Sequence, residues 1–434
     1  MPSRLQSICD ALLEAVWLTA LIAAPLFFNV YSQRVFEPDK IALVRSLAWF
    51  ALIVWIVKQV DGLRLGRAAP EGTSPEAGPL LALPAGKTAL PLWRRPLALL
   101  VLALAGAYLL STALSVAPRQ SLWGSYQRLQ GTLSMLSYMV LFLVVLDTLR
   151  TRGQWRRLQY TVILVSVPIA LYGILQHYRL DPLPWGGDTT QRVASNMGNA
   201  IFVAAYLIMA VPLTLERLIN ATQRMLLDKD GSTTDALTAG TLLFVLVIQL
   251  VAIVFTQSRG PWLGLAAGLY VFLLLALTSL RQRAAQQGRL TLVEIGKGVG
   301  IGVATLALVG LGLAAVRVLP GLLGILALGL AVIAALALFL VPLLTRRGWR
   351  WLWLGIVSMA VAGAALLVLL NVPNTPLAAF KELPYVGRLG QMLETDEGTG
   401  KVRTLIWEGV VAMLEPHGPL TWPDGSPDVL NPVR

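Results

Sequence analysis

The sequence predicts an all-α, polytopic membrane protein with about eleven transmembrane helices. Of its 434 residues, 56% are hydrophobic and only 13% are charged, whereas about a quarter of the residues in soluble domains are charged. The mean hydropathy is +0.69. Apolar segments long enough to cross the hydrocarbon core as helices recur along the chain. This composition excludes a soluble enzyme and a largely disordered chain.

The apolar segments fall into two groups. Two spans lie within residues 1–67, and we expect the first to be an uncleaved signal anchor, since no small-residue cleavage site follows it. Residues 68–96 follow as a proline-rich linker. About nine spans occupy residues 97–371. The eleven predicted spans are 11–31, 41–58, 97–116, 132–148, 160–177, 200–216, 238–256, 261–280, 298–316, 320–344 and 351–371.

Lysine and arginine positions predict the orientation. With the N-terminus in the cytoplasm, twenty-one Lys and Arg fall in cytoplasmic loops and ends, against nine in the outer connections. This is the bias expected of a multi-pass protein, and it accounts for the net charge of +12 without nucleic-acid binding. The linker is then cytoplasmic and the polar stretch 372–434 is extracytoplasmic. Because no closing helix follows that stretch, we expect a fragment of a longer protein.

The residue inventory offers little for metal or disulfide chemistry. Cys9 is the single cysteine, and the two histidines, His177 and His417, are far apart in sequence. The acidic residues Glu394, Asp396 and Glu397 have the pattern of a solvated loop. We therefore expect no metal and no cofactor. Glycines in the ninth predicted span, Gly302, Gly310 and Gly312, predict close helix packing.

Arginines in the predicted outer loops point to a functional face, since membrane topology selects against them there. Arg259 lies between two spans that are only a few residues apart, so we place it at the bilayer boundary. A guanidinium offers a fixed fork of donors suited to phosphate, and ionisable groups at this depth are candidates for function. The alternative is an arginine that binds a lipid headgroup. The outer arginines concerned are Arg119, Arg128, Arg179, Arg192 and Arg259.

Four segments resemble motifs of the O-antigen ligase and O-antigen polymerase family of membrane glycosyltransferases. Residues 258–264 (SRGPWLG) are similar to its SRGxWLG segment, and 192–199 (RVASNMGN) to an R…GNxN element that leads into a helix with Tyr206. Residues 403–408 (RTLIWE) resemble an RxxIW element. Residues 121–124 (SLWG), with Arg128 and Gly131, match an early loop. The motifs occur in the family's order, all on the predicted outer face.

The resemblance implies a metal-independent transfer of a glycan at the outer face of the plasma membrane. The donor would be an undecaprenyl-pyrophosphate-linked glycan, and the acceptor a hydroxyl of a lipid, glycan or protein. By motif match, Arg192, Arg259 and Arg403 would bind the pyrophosphate. The residues expected to line the substrate are Arg128, Asn199, Trp123 and Trp262.

The chain departs from the family pattern at two points. The second Asn of the GNxN element is absent, because Ala200 and Ile201 follow Asn199. The family's candidate base is a histidine of the large outer loop, but His417 follows Arg403 too closely to take that role. We therefore expect the base beyond Arg434, and we interpret His177, at the end of a span, as an interfacial residue.

Two other functions remain open. A transporter or lipid flippase would usually show internal repeats and ionisable residues near the midplane. Here the spans are nearly free of such charges, and the candidate residues gather on one face, which favours an enzyme acting on a lipid-anchored substrate. A non-catalytic membrane protein that recruits partners through its outer loop is the second alternative.

Overall fold

A computed structural model of the chain describes residues 3–32, 35–64, 95–183, 188–227, 233–281, 291–319, 322–344, 349–372, 386–390, 398–414 and 425–426. The regular elements of these residues are all helical, which confirms the all-α class for this part of the chain. The helices are α1 Arg4–Leu26, α2 Pro38–Arg64, α3 Pro96–Ala113, α4 Pro118–Trp123, α5 Thr132–Thr148, α6 Arg152–His177, α7 Ala200–Leu227, α8 Thr233–Phe255, α9 Arg259–Arg281, α10 Leu292–Val318, α11 Leu322–Leu344, α12 Trp349–Asn371, α13 Val386–Gly390 and α14 Gly398–Leu414.

Eight of the described helices are long and apolar enough to cross a membrane, as expected of a multi-pass protein. The other three predicted spans coincide with α5, α9 and α11, for which the apolar stretches within the described residues are Thr132–Thr148, Arg259–Leu275 and Leu326–Ala335. With 17 residues, α5 extends about 26 Å, which is less than the hydrocarbon core of roughly 30 Å. The count of eleven spans stays a prediction, and most of the predicted linker, residues 68–94, lies outside the described residues.

Helix ends differ from the predicted ones where polar residues continue a helix. Helix α1 begins seven residues before the predicted span, because Ser3 and Gln6 form a capping box around its first turn. Helix α6 begins eight residues early, at Arg152. The first turns of α6 are helical but charged, so a search for apolar stretches does not detect them.

The described chain divides into two compact units. The first comprises Met1–Gln176 and Ala194–Tyr206, and the second His177–Val193 and Leu207–Arg434. In the first unit α2 packs against α1 and α5, and α3 packs against α4 and α5. Its apolar core includes the buried side chains of Leu13, Val16 and Val54.

A buried carboxylate ties three helices of the first unit together. Asp147 of α5 accepts a hydrogen bond from Trp55 Nε1 of α2 at 3.0 Å. It also pairs with Arg150 at 3.3 Å and with Arg95, at the start of α3, at 3.9 Å. A buried charge is stable only when it is paired and hydrogen-bonded, and Asp147 meets that condition.

In the second unit α10 packs against α11 and α12, α8 against α11, and α9 against α12. The predicted close packing is confirmed at two glycines of α10. A Cβ on Gly302 would lie 2.7 Å from the carbonyl oxygen of Gly355, and one on Gly312 would lie 2.7 Å from Ala331 Cβ. It is wrong for Gly310, where a Cβ would meet open space.

Candidate functional site

In the second unit, Arg192 lies against the end of α8. Its Nε donates to the carbonyl oxygen of Thr256 and its Nη2 to Ser258 Oγ, each at 3.4 Å. The neighbouring amide of Val193 donates to the carbonyl oxygen of Phe255 at 3.3 Å. The segment that contains Arg192 therefore contacts the segment that contains Ser258 and Arg259, so two of the four motifs meet in space.

The link between α8 and α9 is a tight turn of three residues. Gln257 adopts a left-handed conformation, with φ of 48°, which is unfavourable for a residue with a side chain. The turn is held by Trp262, whose indole Nε1 donates to the carbonyl oxygen of Ile253 at 2.8 Å, and by Ser258 Oγ, which donates to Thr256 O at 3.2 Å. Arg259 is the first residue of α9 and is half-buried.

The electrostatics of this turn suit an anion. The start of α9 carries the positive end of a helix dipole, and two guanidinium groups belong to the segments that meet there. Both hydrogen bonds of Arg192 are long, and its Nη1 has no hydrogen-bond partner within the described residues. Arg192 thus keeps donors for a further ligand. Pyrophosphate binding by Arg192 and Arg259 stays a prediction.

The loop that precedes Arg192 is ordered by its own side chains. Asp188 Oδ1 accepts hydrogen bonds from the hydroxyl and the amide of Thr190, at 2.5 and 2.9 Å, and from the amide of Gln191 at 3.3 Å. The Thr190 hydroxyl and the backbone amides lower the pKa of the exposed Asp188 carboxyl. This is the Asx-type turn that short acidic side chains favour, and it fixes the backbone immediately before Arg192.

His177 contacts both the end of α8 and the loop that precedes Arg192. Its ring stacks on Phe255, with centroids 3.9 Å apart and planes 17° apart. Its Nδ1 lies 2.8 Å from the carbonyl oxygen of Thr190. The edge of the Tyr178 ring also meets it, and burial raises the pKa of the Tyr178 hydroxyl. The sequence predicts only an interfacial position for His177, since nothing in its spacing from Arg192 or Ser258 indicates the contact.

The other predicted residues of the second unit are less involved. The indole N–H of Trp262 donates to the carbonyl oxygen of Ile253, so the polar group of this side chain stabilises the turn between α8 and α9. Arg403 is exposed on α14 and makes no hydrogen bond or ion pair with the described residues. His417 and the acidic residues Glu394, Asp396 and Glu397 lie outside the described residues. Among the described residues, no three His, Cys, Asp or Glu side chains cluster as a metal site would require.

In the first unit, an arginine of α2 holds the loop that contains Trp123 and Arg128. Arg45 Nε donates to Ser134 Oγ at 3.0 Å, and its Nη2 donates to the carbonyl oxygens of Trp123 at 3.1 Å and Leu129 at 2.5 Å. Arg128 is largely exposed and pairs with Glu37 at 3.6 Å. Arg45 is one of the nine Lys and Arg on the predicted outer side, and hydropathy cannot show which loop its guanidinium reaches.

The loop beside Arg45 forms one wall of an open pocket. The side chains at this pocket include Arg119, Gln120, Trp123 and Tyr126. The Trp123 side chain is half-exposed and that of Tyr126 is almost fully exposed. Aromatic faces beside an amide and a guanidinium are suited to a polar ligand with apolar faces, and the lining role of Trp123 stays a prediction.

The GN pair of the 192–199 motif has a local structural function in the first unit. Gly198 has φ of 70°, and a Cβ there would collide with the Phe36 ring. Asn199 precedes α7, and its side-chain oxygen accepts from the amide of Ile201 at 2.9 Å, as a helix cap does. Asn199 therefore contributes to the start of α7, and a role in lining the substrate stays a prediction.

No protein-family model, curated protein or solved structure matches the chain. The resemblance to the O-antigen ligase and polymerase family therefore rests on the four motifs. The geometry adds one fact to them, which is that Arg192 of one motif contacts Ser258 of another.

Proposed function

We propose that this protein is a membrane glycosyltransferase of the O-antigen ligase or polymerase kind. It would transfer a glycan from an undecaprenyl-pyrophosphate donor to an acceptor hydroxyl, at the extracytoplasmic face of the plasma membrane. The observation that carries the proposal is the hydrogen bond from Arg192 to Ser258, the residue before Arg259. This contact brings two of the three predicted pyrophosphate-binding segments together in one compact unit.

The chemistry needs positive charge at a fixed place. When the glycosidic bond breaks, its electron pair moves to the pyrophosphate, where negative charge builds up. Guanidinium donors and a helix N-terminus that are already in place stabilise this charge better than water, which would have to reorganise. Arg192, with an unused nitrogen, and Arg259, at the first residue of α9, supply these groups.

The membrane setting supports a lipid-linked substrate. Eight of the described helices have the length and apolarity of membrane spans, so a donor with a polyprenyl tail would reach the protein within the bilayer. The Lys and Arg bias predicts an N-terminus inside the cytoplasm. The link between α8 and α9 would then lie on the outer side, with Arg192.

A transfer assay with reconstituted protein tests this proposal. The substrates are an undecaprenyl-pyrophosphate-linked glycan and a hydroxyl acceptor, and the product is the glycosylated acceptor. We expect Arg259→Ala to lose on the order of 10²–10³ in rate, as removal of an oxyanion-hole donor does. Arg259→Lys should not restore the rate, because an ammonium lacks the bidentate fork.

Arg156→Ala is the matched control. Arg156 is an exposed arginine of α6, on the predicted cytoplasmic side, and its removal should leave transfer at the wild-type rate. Transfer by Arg259→Ala at the wild-type rate would refute the proposed role and leave Arg259 as an anchor for lipid headgroups. Loss of wild-type transfer on addition of EDTA would refute the metal-independent mechanism.

A further inference from the structure

We propose that His177 is the general base of this site and that its Nε2 removes the proton from the acceptor hydroxyl. The inference rests on the proposed function and assigns the residue that sequence reasoning expected beyond Arg434. The imidazole ring of His177 contacts both segments of the arginine site, at Phe255 and at Thr190.

The hydrogen bond at Nδ1 determines which nitrogen is basic. A backbone carbonyl oxygen can only accept a hydrogen bond, so the contact of 2.8 Å with Thr190 O requires a proton on Nδ1. In the neutral ring the lone pair then lies on Nε2. An imidazole held in one tautomer by an acceptor at Nδ1 is the arrangement in which histidine serves as a base toward a hydroxyl.

The ring of His177 contacts the same two segments that Arg192 joins. His177 stacks on Phe255 and bonds to Thr190, while Arg192 bonds to Thr256. Phe255 and Thr256 are consecutive, and Thr190 and Arg192 are two residues apart, at most about 7 Å between Cα atoms. The base and one predicted phosphate ligand are therefore anchored on the same two short segments.

This neighbourhood fits the geometry of the reaction. The anomeric carbon that the acceptor attacks is one oxygen away from the phosphate. A base for the acceptor must therefore lie close to the pyrophosphate-binding groups. No second histidine occurs within the described residues, because His417 lies outside them.

The step balances without a metal or a redox partner. The acceptor O–H transfers its proton to Nε2 as its oxygen forms a bond to the anomeric carbon. The bond from that carbon to the pyrophosphate oxygen breaks, and its electron pair leaves with the pyrophosphate. The imidazolium then releases its proton to water, which restores the neutral base.

A substitution at His177 can distinguish two roles of this residue, that of a general base and that of a side chain that only positions the loop before Arg192. In His177→Asn the amide nitrogen lies near the former Nδ1 and can still donate to Thr190 O, but no basic nitrogen remains. General-base catalysis contributes about 10²–10⁴ in rate. We therefore expect His177→Asn to lose at least 100-fold in kcat, with little change in KM for the donor. Arg156→Ala, at the exposed arginine of α6 on the predicted cytoplasmic side, is the control and should transfer normally.

Chemical rescue provides a second readout. In His177→Ala, added imidazole should restore part of the transfer rate, whereas pyrrole should not, because pyrrole has a similar ring but no basic nitrogen. Rescue by both would mean that the ring only fills space. A His177→Asn rate within threefold of wild type would mean that the hydrogen bond to Thr190 is sufficient.

Either of these results would overturn the base assignment and leave the proposed function standing. If the wild-type protein transfers no glycan, both the proposed function and the base assignment are wrong. If His177→Asn loses activity together with donor binding, His177 acts only through the loop that contains Arg192, and the base assignment is again overturned.

Discussion

Replacing Arg45 with methionine should release the loop between α4 and α5. The substitution keeps most of the apolar stem and removes three hydrogen bonds, to Ser134 Oγ, Trp123 O and Leu129 O. The oxygen of Leu129 keeps a bond of 2.6 Å from Ser134, so part of the local structure survives. Hydrogen bonds to charged groups contribute about 1.5–3 kcal/mol each.

Allowing for this residual bond and for compensation by solvent, we expect the loop to lose about 2 kcal/mol of local stability. That corresponds to roughly 30-fold faster amide exchange, since about 1.4 kcal/mol is tenfold. Hydrogen exchange with mass spectrometry on a peptide covering 124–131 measures it. The reporting amides are those of Gly124, bonded to Gln120, and Leu129, bonded to Ser125.

The matched control is Arg128→Met in the same loop. Arg128 is two-thirds exposed, and its only described ion pair is the one with Glu37 at 3.6 Å. Exposed pairs contribute about 0–1 kcal/mol, so exchange in the peptide should change by less than about fivefold. Unchanged exchange in Arg45→Met, or equal effects of the two substitutions, would refute the assigned role of Arg45.

Two further predictions concern packing and topology. Gly302→Leu should lower the melting temperature of the detergent-solubilised protein by several degrees, because the new side chain meets the backbone of Gly355. Gly310→Leu on the same helix is the control and should change the melting temperature little. Equal melting temperatures of the two variants would contradict the close packing at Gly302. The topology prediction uses single cysteines in a protein whose Cys9 has been replaced. A cysteine at position 426 should react with a membrane-impermeant thiol reagent in intact cells, and one at position 74 should not. The reverse pattern would refute the predicted orientation.

The positions of the helices could be predicted because the long helices carry long apolar stretches that hydropathy detects. The segment 132–148 was predicted with the bounds that α5 has, since Gly131 and the polar residues after Thr148 end it sharply. Ends that depend on caps or charged turns were missed, as at Ser3 and Arg152. Hydropathy reports the preference of side chains for an apolar environment and carries no information on hydrogen bonds at helix ends.

The candidate site could be predicted only in part. Arg192 and Ser258 lie in two predicted outer connections, 178–199 and 257–260, and the structure shows that these two connections are in contact. The position of His177 could not be predicted, because ring stacking on Phe255 and a bond to the backbone of Thr190 leave no trace in the spacing of residues. The same holds for Arg45, whose partners are mostly backbone carbonyl groups.

Glycan transfer by the reconstituted wild-type protein, compared with Arg192→Lys, is the most direct test of the central claim. Mass spectrometry of the acceptor shows whether a covalent bond to the glycan has formed. We predict a glycosylated acceptor with wild-type protein, and a rate lower by on the order of 10²-fold with Arg192→Lys. Movement of the intact donor across the bilayer with no glycosylated acceptor, or equal rates for the two proteins, would contradict the account.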